Sequence, residues 1–417
     1  MLQRYRSLDR PLVALVTILV GYGLLMLYSA GQTDVPTIVA TIWQRQLAWL
    51  ALGIACAVLM FRVSPRLLEW ATPYVYGVAV FVLLLTLLFG TGAGTAASSK
   101  SWIAITGQRL GQPAELAKLA VVLMLARWLA DRREPPATLR DLMYPGLITL
   151  VPFGLVVLQP DLGSAIVFVA ILFSMLFWAG TRPALLLLLA SPAIGLVLAY
   201  STVVWGAWIL LLFVFVLWLR PYVWEGLTVM LANVLMGVIA LPFWRHLAPY
   251  QQSRLLAFLN PEADPRATGW HIIQSKVAIG SGGWFGKGYT LGTQKRLAFL
   301  PAQHTDFIFP VIGEELGFAG VVVALALFTG LLLVLLRIAR RATDSYSSFC
   351  IFGMAGMFFA HIVENVGMAV NLMPVTGIPL PFFSYGGSFL LTCFLAIGIA
   401  LRVAWESRQS GYADPSQ

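Results

Sequence analysis

Of 417 residues, 59% are hydrophobic and 11% charged, whereas a soluble globular chain carries about 25% charged residues. Lys and Arg number 27 against 18 Asp and Glu, a net charge of +9. These proportions exclude a soluble globular domain; the positive surplus suits basic loops beside anionic lipid head groups and does not call for nucleic acid.

Crossing a hydrocarbon core about 30 Å thick takes about 20 apolar residues per helix. Stretches of that kind lie at 12–30, 46–62, 72–91, 113–130, 143–159, 161–179, 183–200, 202–219, 226–245, 307–336, 348–369 and 380–402. The expected fold is therefore all-α: a polytopic transmembrane helix bundle of about 12 spans, with 1–417 as a single membrane domain. The uncharged run 183–219 is too long for one crossing and is expected to break at 200–202. Pro374, Gly377, Pro379 and Pro381 divide the last apolar run, because proline supplies no amide proton to continue a helix. The first span follows Arg4, Arg6 and Arg10 but exceeds the apolar core of a signal peptide, so it reads as a retained helix.

Lys and Arg concentrate in cytoplasmic loops, which places the N-terminus inside. The inner loops then hold Arg62, Arg66, Arg132, Arg133, Arg140, Arg182, Arg220, Arg337, Arg340 and Arg341, and the C-terminus is inside with Arg402 and Arg408. By the same parity 92–112 and the long segment 246–304 lie outside. Cys56, Cys350 and Cys393 fall in apolar spans and read as packing residues, with no disulfide framework.

The outer segment carries Arg254, Arg266, Lys276, Lys287, Lys295 and Arg296, with Glu262 and Asp264 as its only acids. Leu255, Leu256, Phe258 and Leu259, then Ile272, Ile273, Val277 and Ile279, suit short amphipathic helices. The glycines at 280, 282, 283, 286 and 288 form either a plain loop or a set of amides approaching an anion, with Lys276 and Lys287 near in sequence. Asp264 stands before Pro265, where an aspartate initiates a turn or caps a helix; a general base for an outer site would be this residue, Glu262 or a helix-borne acid.

Ionisable residues inside spans are costly in lipid and mark function by default. Glu115 and Lys118 are three apart and share a helix face, as a structural ion pair or as substrate contacts. Asp161 reads as an N-cap, Thr305 and Asp306 as caps of the next long helix, and Glu314 and Glu315 as lying about two turns inside it. His246, His271, His304 and His361 show no metal-ligand spacing. From the residues alone, a polymerising enzyme, a lipid transporter and a scaffold for a partner enzyme all remain open.

Five motifs follow one another along the chain: QPAELAKL at 112–119, QPDLGSA at 159–165, NPEADPRATGWHIIQSKVAIGSGG at 260–283, FLPAQHTDFIF at 299–309 with GEELG at 313–317, and PVTGIPLPFFSYGGS at 374–388. Together they resemble the SEDS family, typified by RodA and FtsW, and VTGIP at 375–379 resembles the rod-elongation branch. The resemblance implies a peptidoglycan glycosyltransferase that polymerises lipid II on the outer face of the bacterial cytoplasmic membrane beside a class B penicillin-binding protein. It implies that Asp264 is the catalytic loop aspartate. By the same resemblance Glu115 and Lys118 are the intramembrane acid and base, while Asp161, His304, Asp306, Glu314 and Glu315 line the substrate site. Lys118, Lys276 and Lys287, and also Arg109, are then candidates for stabilising the leaving pyrophosphate, as is a divalent cation, Mg or Mn. The family core has ten spans, so 202–245 reads as a two-helix insertion, and an even insertion keeps 246–304 outside as the catalytic loop. Ser101 and Phe389 depart from the family pattern.

Overall fold

A computed structural model describes residues 8–34, 38–92, 100–105, 108–219, 222–247, 249–263, 269–297, 299–300 and 302–413. Asp264 and Arg266 lie outside the described residues, as do Arg4, Arg6 and Arg220. The chain is a polytopic helical membrane protein, and a helix occupies each of the twelve expected span positions. In chain order these are α1 (Arg10–Ala30), α2 (Ile42–Arg62), α3 (Pro65–Phe89), α4 (Pro113–Ala130), α5 (Leu139–Leu158), α6 (Leu162–Trp178), α7 (Pro183–Leu198), α8 (Thr202–Leu219) and α9 (Val223–His246). The outer segment folds as α10 (Pro249–Leu259), α11 (Trp270–Ser281) and the single turn α12 (Thr293–Arg296), and α13 (Ile308–Arg340), α14 (Ser345–Ala369) and α15 (Gly387–Ala413) complete the bundle.

Nine of the described helices are long and apolar enough to cross a membrane. The shorter α6 and α7 and the charge-bearing α4 complete the twelve. Local chemistry sets several ends. Asp9 accepts a hydrogen bond from the Leu12 amide to start α1, and Ser64 does the same for α3 through Leu67. Thr138 and Asp141 form a capping box at α5. α7 stops at Leu198 and α8 starts at Thr202, where the break was expected. One departure from the all-α expectation is an antiparallel hairpin, β1 (Ile103–Ile105) with β2 (Gln108–Gly111). It is too short to show in hydropathy.

Helices α14 and α15 are the most enclosed long spans. α14 packs against α4, α6 and α13, and α15 packs against α2. The last helix begins at Gly387 rather than near 380, so 370–386 stays non-helical, with Ile378 and Leu380–Ser384 buried among the helices. Irregular backbone at this depth is tolerated only where protein supplies hydrogen bonds. Here Asn365 donates to the Ile378 carbonyl at 2.7 Å, Ser384 accepts from the Leu380 amide at 2.8 Å, and Gln46 donates to the Ser384 carbonyl at 3.2 Å.

α8 and α9 attach to the bundle through α7. Their shared core is small: Leu188, Leu212, Val216 and Val229. A buried Asn233 ties the three helices, donating to Ser191 at 2.8 Å and accepting from the Trp208 indole at 3.1 Å. At the opposite end of the bundle from 370–386, Asp9 binds both Arg337 and Arg408, at 2.7 and 2.6 Å, and joins α1, α13 and α15.

α13 contains a break. Gly317 has φ 64° and ψ −160°, so the 33 residues are a short outer helix joined to a long inner one. A Cβ at Gly317 would stand 2.3 Å from the Gly286 amide nitrogen, and one at Gly286 would stand 2.0 Å from the Glu315 carbonyl oxygen. Each glycine is thus required both by its backbone conformation and by the close approach of the other segment. Gly317→Ala is expected to cost on the order of 1–3 kcal/mol from backbone strain alone, read as a lower unfolding midpoint in detergent; an unchanged midpoint would rule out this account of the kink.

Candidate functional site

The sequence-derived residues gather in two groups. The inner group starts with the buried ion pair of α4, Lys118 Nζ to Glu115 Oε1 at 2.9 Å, with exposures of 0% and 2%. His361 of α14 adds its Nε2 at 3.1 Å from the same ammonium and 3.7 Å from Glu115 Oε2. The imidazole is fixed on its other side by the Pro379 carbonyl, 3.1 Å from Nδ1, and by stacking on Phe389. The charge on Lys118 is therefore compensated inside the protein, as it must be where no bulk water reaches.

Asp161 caps α6, accepting from the Ser164 amide at 3.0 Å, and also receives the Gln112 amide group. The first and second expected motifs are joined in this way. Thr305 and Asp306 do not cap α13. The N-cap position is Phe307, without a side-chain bond, and Thr305 donates instead to the Ala302 carbonyl. The chain turns too sharply at Ala302, whose φ is 52°, for either side chain to meet the amides of α13. Asp306 points toward the turn at Gly377 and the guanidinium of Arg254: a Cβ at Gly377 would lie 3.3 Å from Asp306 Oδ2 and 4.0 Å from an Arg254 terminal nitrogen. Burial raises the Asp306 carboxyl above its usual range, and Arg254 partly offsets this. Arg254 lies over the Tyr250 ring, 5.6 Å from its centroid. The His304 carbonyl receives the Tyr385 amide at 2.8 Å, and burial pushes the His304 imidazole down to about 4.

The outer group is a set of paired charges. Glu314 and Glu315 are both fully buried. Glu314 accepts from Lys287 at 2.7 Å, from Thr293 at 3.0 Å and from the Gln294 amide. Glu315 binds the buried Lys295 and the Ser29 hydroxyl of α1, the latter at 2.6 Å. The glycine-rich stretch is spent in the same joint. The amides of Lys287 and Gly288 donate to the carbonyls of Glu314 and Glu315 at 3.0 Å, and the Gly286 amide donates to Gly282. These amides are therefore engaged by protein and do not form an anion cradle. Lys276 stands exposed on α11 without an ion-pair partner among the described residues. No ion pair among the described residues links the two groups.

Sequence reasoning missed His361, which it named only as lacking metal-ligand spacing, and also Glu364, Lys295 and Arg254 as members of these groups. Glu364, the one acid within α14, lies a helical turn from His361 and is 1% exposed. Its presence in an apolar span is the signal that could have found it. Lys295 and Arg254 had no such signal, because a lysine or arginine in a basic loop is ordinary until tertiary structure buries or aims it.

A profile of the cell cycle protein family FtsW/RodA/SpoVE matches residues 10–409. The chain belongs to this family. It is 35% identical to the peptidoglycan glycosyltransferase RodA of Treponema pallidum, over 95% of this chain and 97% of that one. It is 33% identical to the peptidoglycan glycosyltransferase MrdB of Escherichia coli K12, over 95% and 93%. A chain in the solved structure of a peptidoglycan synthase complex that coordinates polymerization and crosslinking superposes with TM-score 0.71 at 31% identity, over 96% of this chain and 99% of that chain. The crystal structure of the rod shape determining protein RodA of Thermus thermophilus gives 0.61 at 29% identity, over 95% and 96%. These matches run nearly the full length of each chain, so both charged groups of this family member lie within the matched region.

Two measurements test the geometry. Lys118→Met leaves Glu115 uncompensated and is expected to destabilise by about 3–5 kcal/mol, whereas Lys118→Met with Glu115→Gln recovers most of that loss; equal losses in a double-mutant cycle would refute the pairing. His304 stays neutral in the fold down to about pH 4, while the unfolded chain takes its proton near 6.5. The unfolded state then binds more protons as pH falls from about 6.5 to about 4, so stability falls across that window, by at most roughly 1.4 kcal/mol per pH unit, and levels off below it. His304→Gln should remove that part of the slope in the unfolding midpoint.

Proposed function

We infer that this chain is a peptidoglycan glycosyltransferase that polymerises lipid II into glycan strands during cell-wall elongation. The observation that carries the reading is the near full-length similarity to proteins named for that activity. VTGIP at 375–379 supports the elongation branch. The bias of Lys and Arg supports cytoplasmic termini in the bacterial inner membrane, with 246–304 as an outer catalytic loop and 202–245 as a two-helix addition to a ten-span core. The partner is a class B penicillin-binding protein, which would crosslink the strands; the likeness to a synthase complex supports this.

In the reaction an acceptor sugar hydroxyl attacks the anomeric carbon of a second lipid-linked disaccharide. The new glycosidic bond forms as the bond to the lipid pyrophosphate breaks. Asp264 takes the hydroxyl proton as general base, worth about 10²–10⁴ in rate. The leaving pyrophosphate gathers negative charge and needs cations around it. Lys276 and Arg254 suit that task, whereas the ammonium of Lys118 is already held by Glu115 and that of Lys287 by Glu314. Asp161, His304 and Asp306 border the inner group and orient the substrate, and Glu115 balances Lys118. Glu314 and Glu315 act by fixing the outer segment. No group of three or more His, Cys, Asp or Glu able to hold a metal forms among the described residues.

Purified chain, supplied with lipid II in detergent with and without a class B penicillin-binding protein, is expected to yield glycan strands. Asp264→Ala should lower the rate by about 10²–10⁴ while folding normally. Strands at the wild-type rate from that variant would remove Asp264 from the mechanism, and no strands from wild type under either condition would favour a lipid transporter or a scaffold.

A further inference from the structure

Four buried oxygen atoms on α4 and α14 are under-satisfied among the described residues: the two carboxylate oxygens of Glu364 have only the nearby Thr376 hydroxyl, and Oε2 of Glu115 and Oδ1 of Asn365 have no hydrogen-bond donor. Their side chains are 1%, 2% and 0% exposed, so bulk solvent does not serve them. Buried acceptors are nearly always matched by donors, and several orphaned ones in one place signal a missing partner or a functional role. Lys118 cannot supply the donors, since its ammonium is shared between Glu115 Oε1 and His361. The Asn365 amide group is committed as well, to the carbonyls of Asp306 and Ile378.

The position of Glu364 fixes what could bind there. It lies five residues before the end of α14, about 7.5 Å along the axis, one turn from His361 and beside the Thr376 hydroxyl. The charges of Lys118, Asp161 and Glu115 all act on it. A phosphate or pyrophosphate would be repelled by this carboxylate and drawn to the guanidinium of Arg254 instead. A neutral group rich in hydroxyl and amide N–H donors would find its acceptors unmet and waiting. The cover over them is the turn at 374–379. Its Gly377 has φ 81°, and it is held to α14 by side-chain hydrogen bonds from Asn365 to the Ile378 carbonyl and between His361 and the Pro379 carbonyl. A ligand reaching the acceptors has to displace this turn and break those two bonds.

We propose that Glu364, with the side-chain carbonyl of Asn365, forms a sugar-side subsite that accepts hydrogen bonds from the hydroxyl and acetamido N–H groups of the substrate's amino sugar. The cationic side at Arg254 takes the pyrophosphate. This deepens the reading under Proposed function and rests on it.

Binding is measured without turnover, using dansylated lipid II and, separately, undecaprenyl pyrophosphate, which has no sugar. Glu364→Leu should weaken lipid II binding by about tenfold or more, the loss of charge-assisted hydrogen bonds, and leave undecaprenyl pyrophosphate binding unchanged. The near-isosteric Glu364→Gln should weaken lipid II binding by less, and neither variant should unfold at a lower temperature than wild type. Lipid II affinity unchanged in Glu364→Leu, or an equal loss for both ligands, overturns the subsite; if that variant misfolds, unchanged affinity in Glu364→Gln overturns it. Strand synthesis is read in parallel. Strands from wild type with unaltered variant affinity sink this inference alone, whereas no strands from wild type sink the polymerase reading and leave the two-ligand comparison to decide the subsite.

Discussion

A charge or a bare backbone group inside a bilayer has no bulk water to turn to, and that constraint organises this molecule more than any single contact. Lys118 is fully buried and is tolerated because Glu115 reaches it from the same helix, α4, and His361 from α14. The same requirement explains 370–386. A proline-rich stretch that cannot be helical is accepted among the spans because Asn365, His361, Ser384 and Gln46 satisfy its polar groups. The motif segments at 112–119, 159–165, 299–309 and 374–388 thereby meet around α14.

The outer segment is anchored by a second set of buried charges. Glu314 and Glu315 project from the short outer part of α13 and take Lys287 and Lys295 from the segment, with Ser29 contributing from α1. Breaking such a pair is costly because the remaining charge is stranded, so the joint is held in one arrangement. The two facing glycines make the approach close enough for backbone bonding between Gly283, Trp284, Lys287 and Gly288 on one side and the kink of α13 on the other. A loop so fixed carries whatever chemistry it bears at a defined position relative to the inner group.

The cations of the chain thus divide by surroundings rather than by sequence. Lys287 and Lys295 are structural because glutamates reach them; Arg254 and Lys276 are not bound in ion pairs among the described residues. That distinction redirects the search for pyrophosphate contacts from the glycine-rich stretch to Arg254 on α10 and Lys276 on α11.

The amino-acid sequence by itself determined the membrane class, the twelve helices and the break points at 200–202 and before α15, because hydropathy, length and proline chemistry are local properties. It also offered the Glu115–Lys118 pair and the Asp161 cap of α6 as readings, since both follow from spacings of three residues along one helix or its cap, and the structure contains both. Motif resemblance supplied the family. Only tertiary structure decided that the glycine amides face Glu314 and Glu315 rather than an anion, that Thr305 and Asp306 turn away from α13, and that Glu364 and Asn365 leave acceptors unmet beside Lys118. Each of those outcomes depends on which group arrives from a distant segment. A one-dimensional pattern carries the charge and the turn chemistry of a residue, but not the partner that burial gives it or withholds.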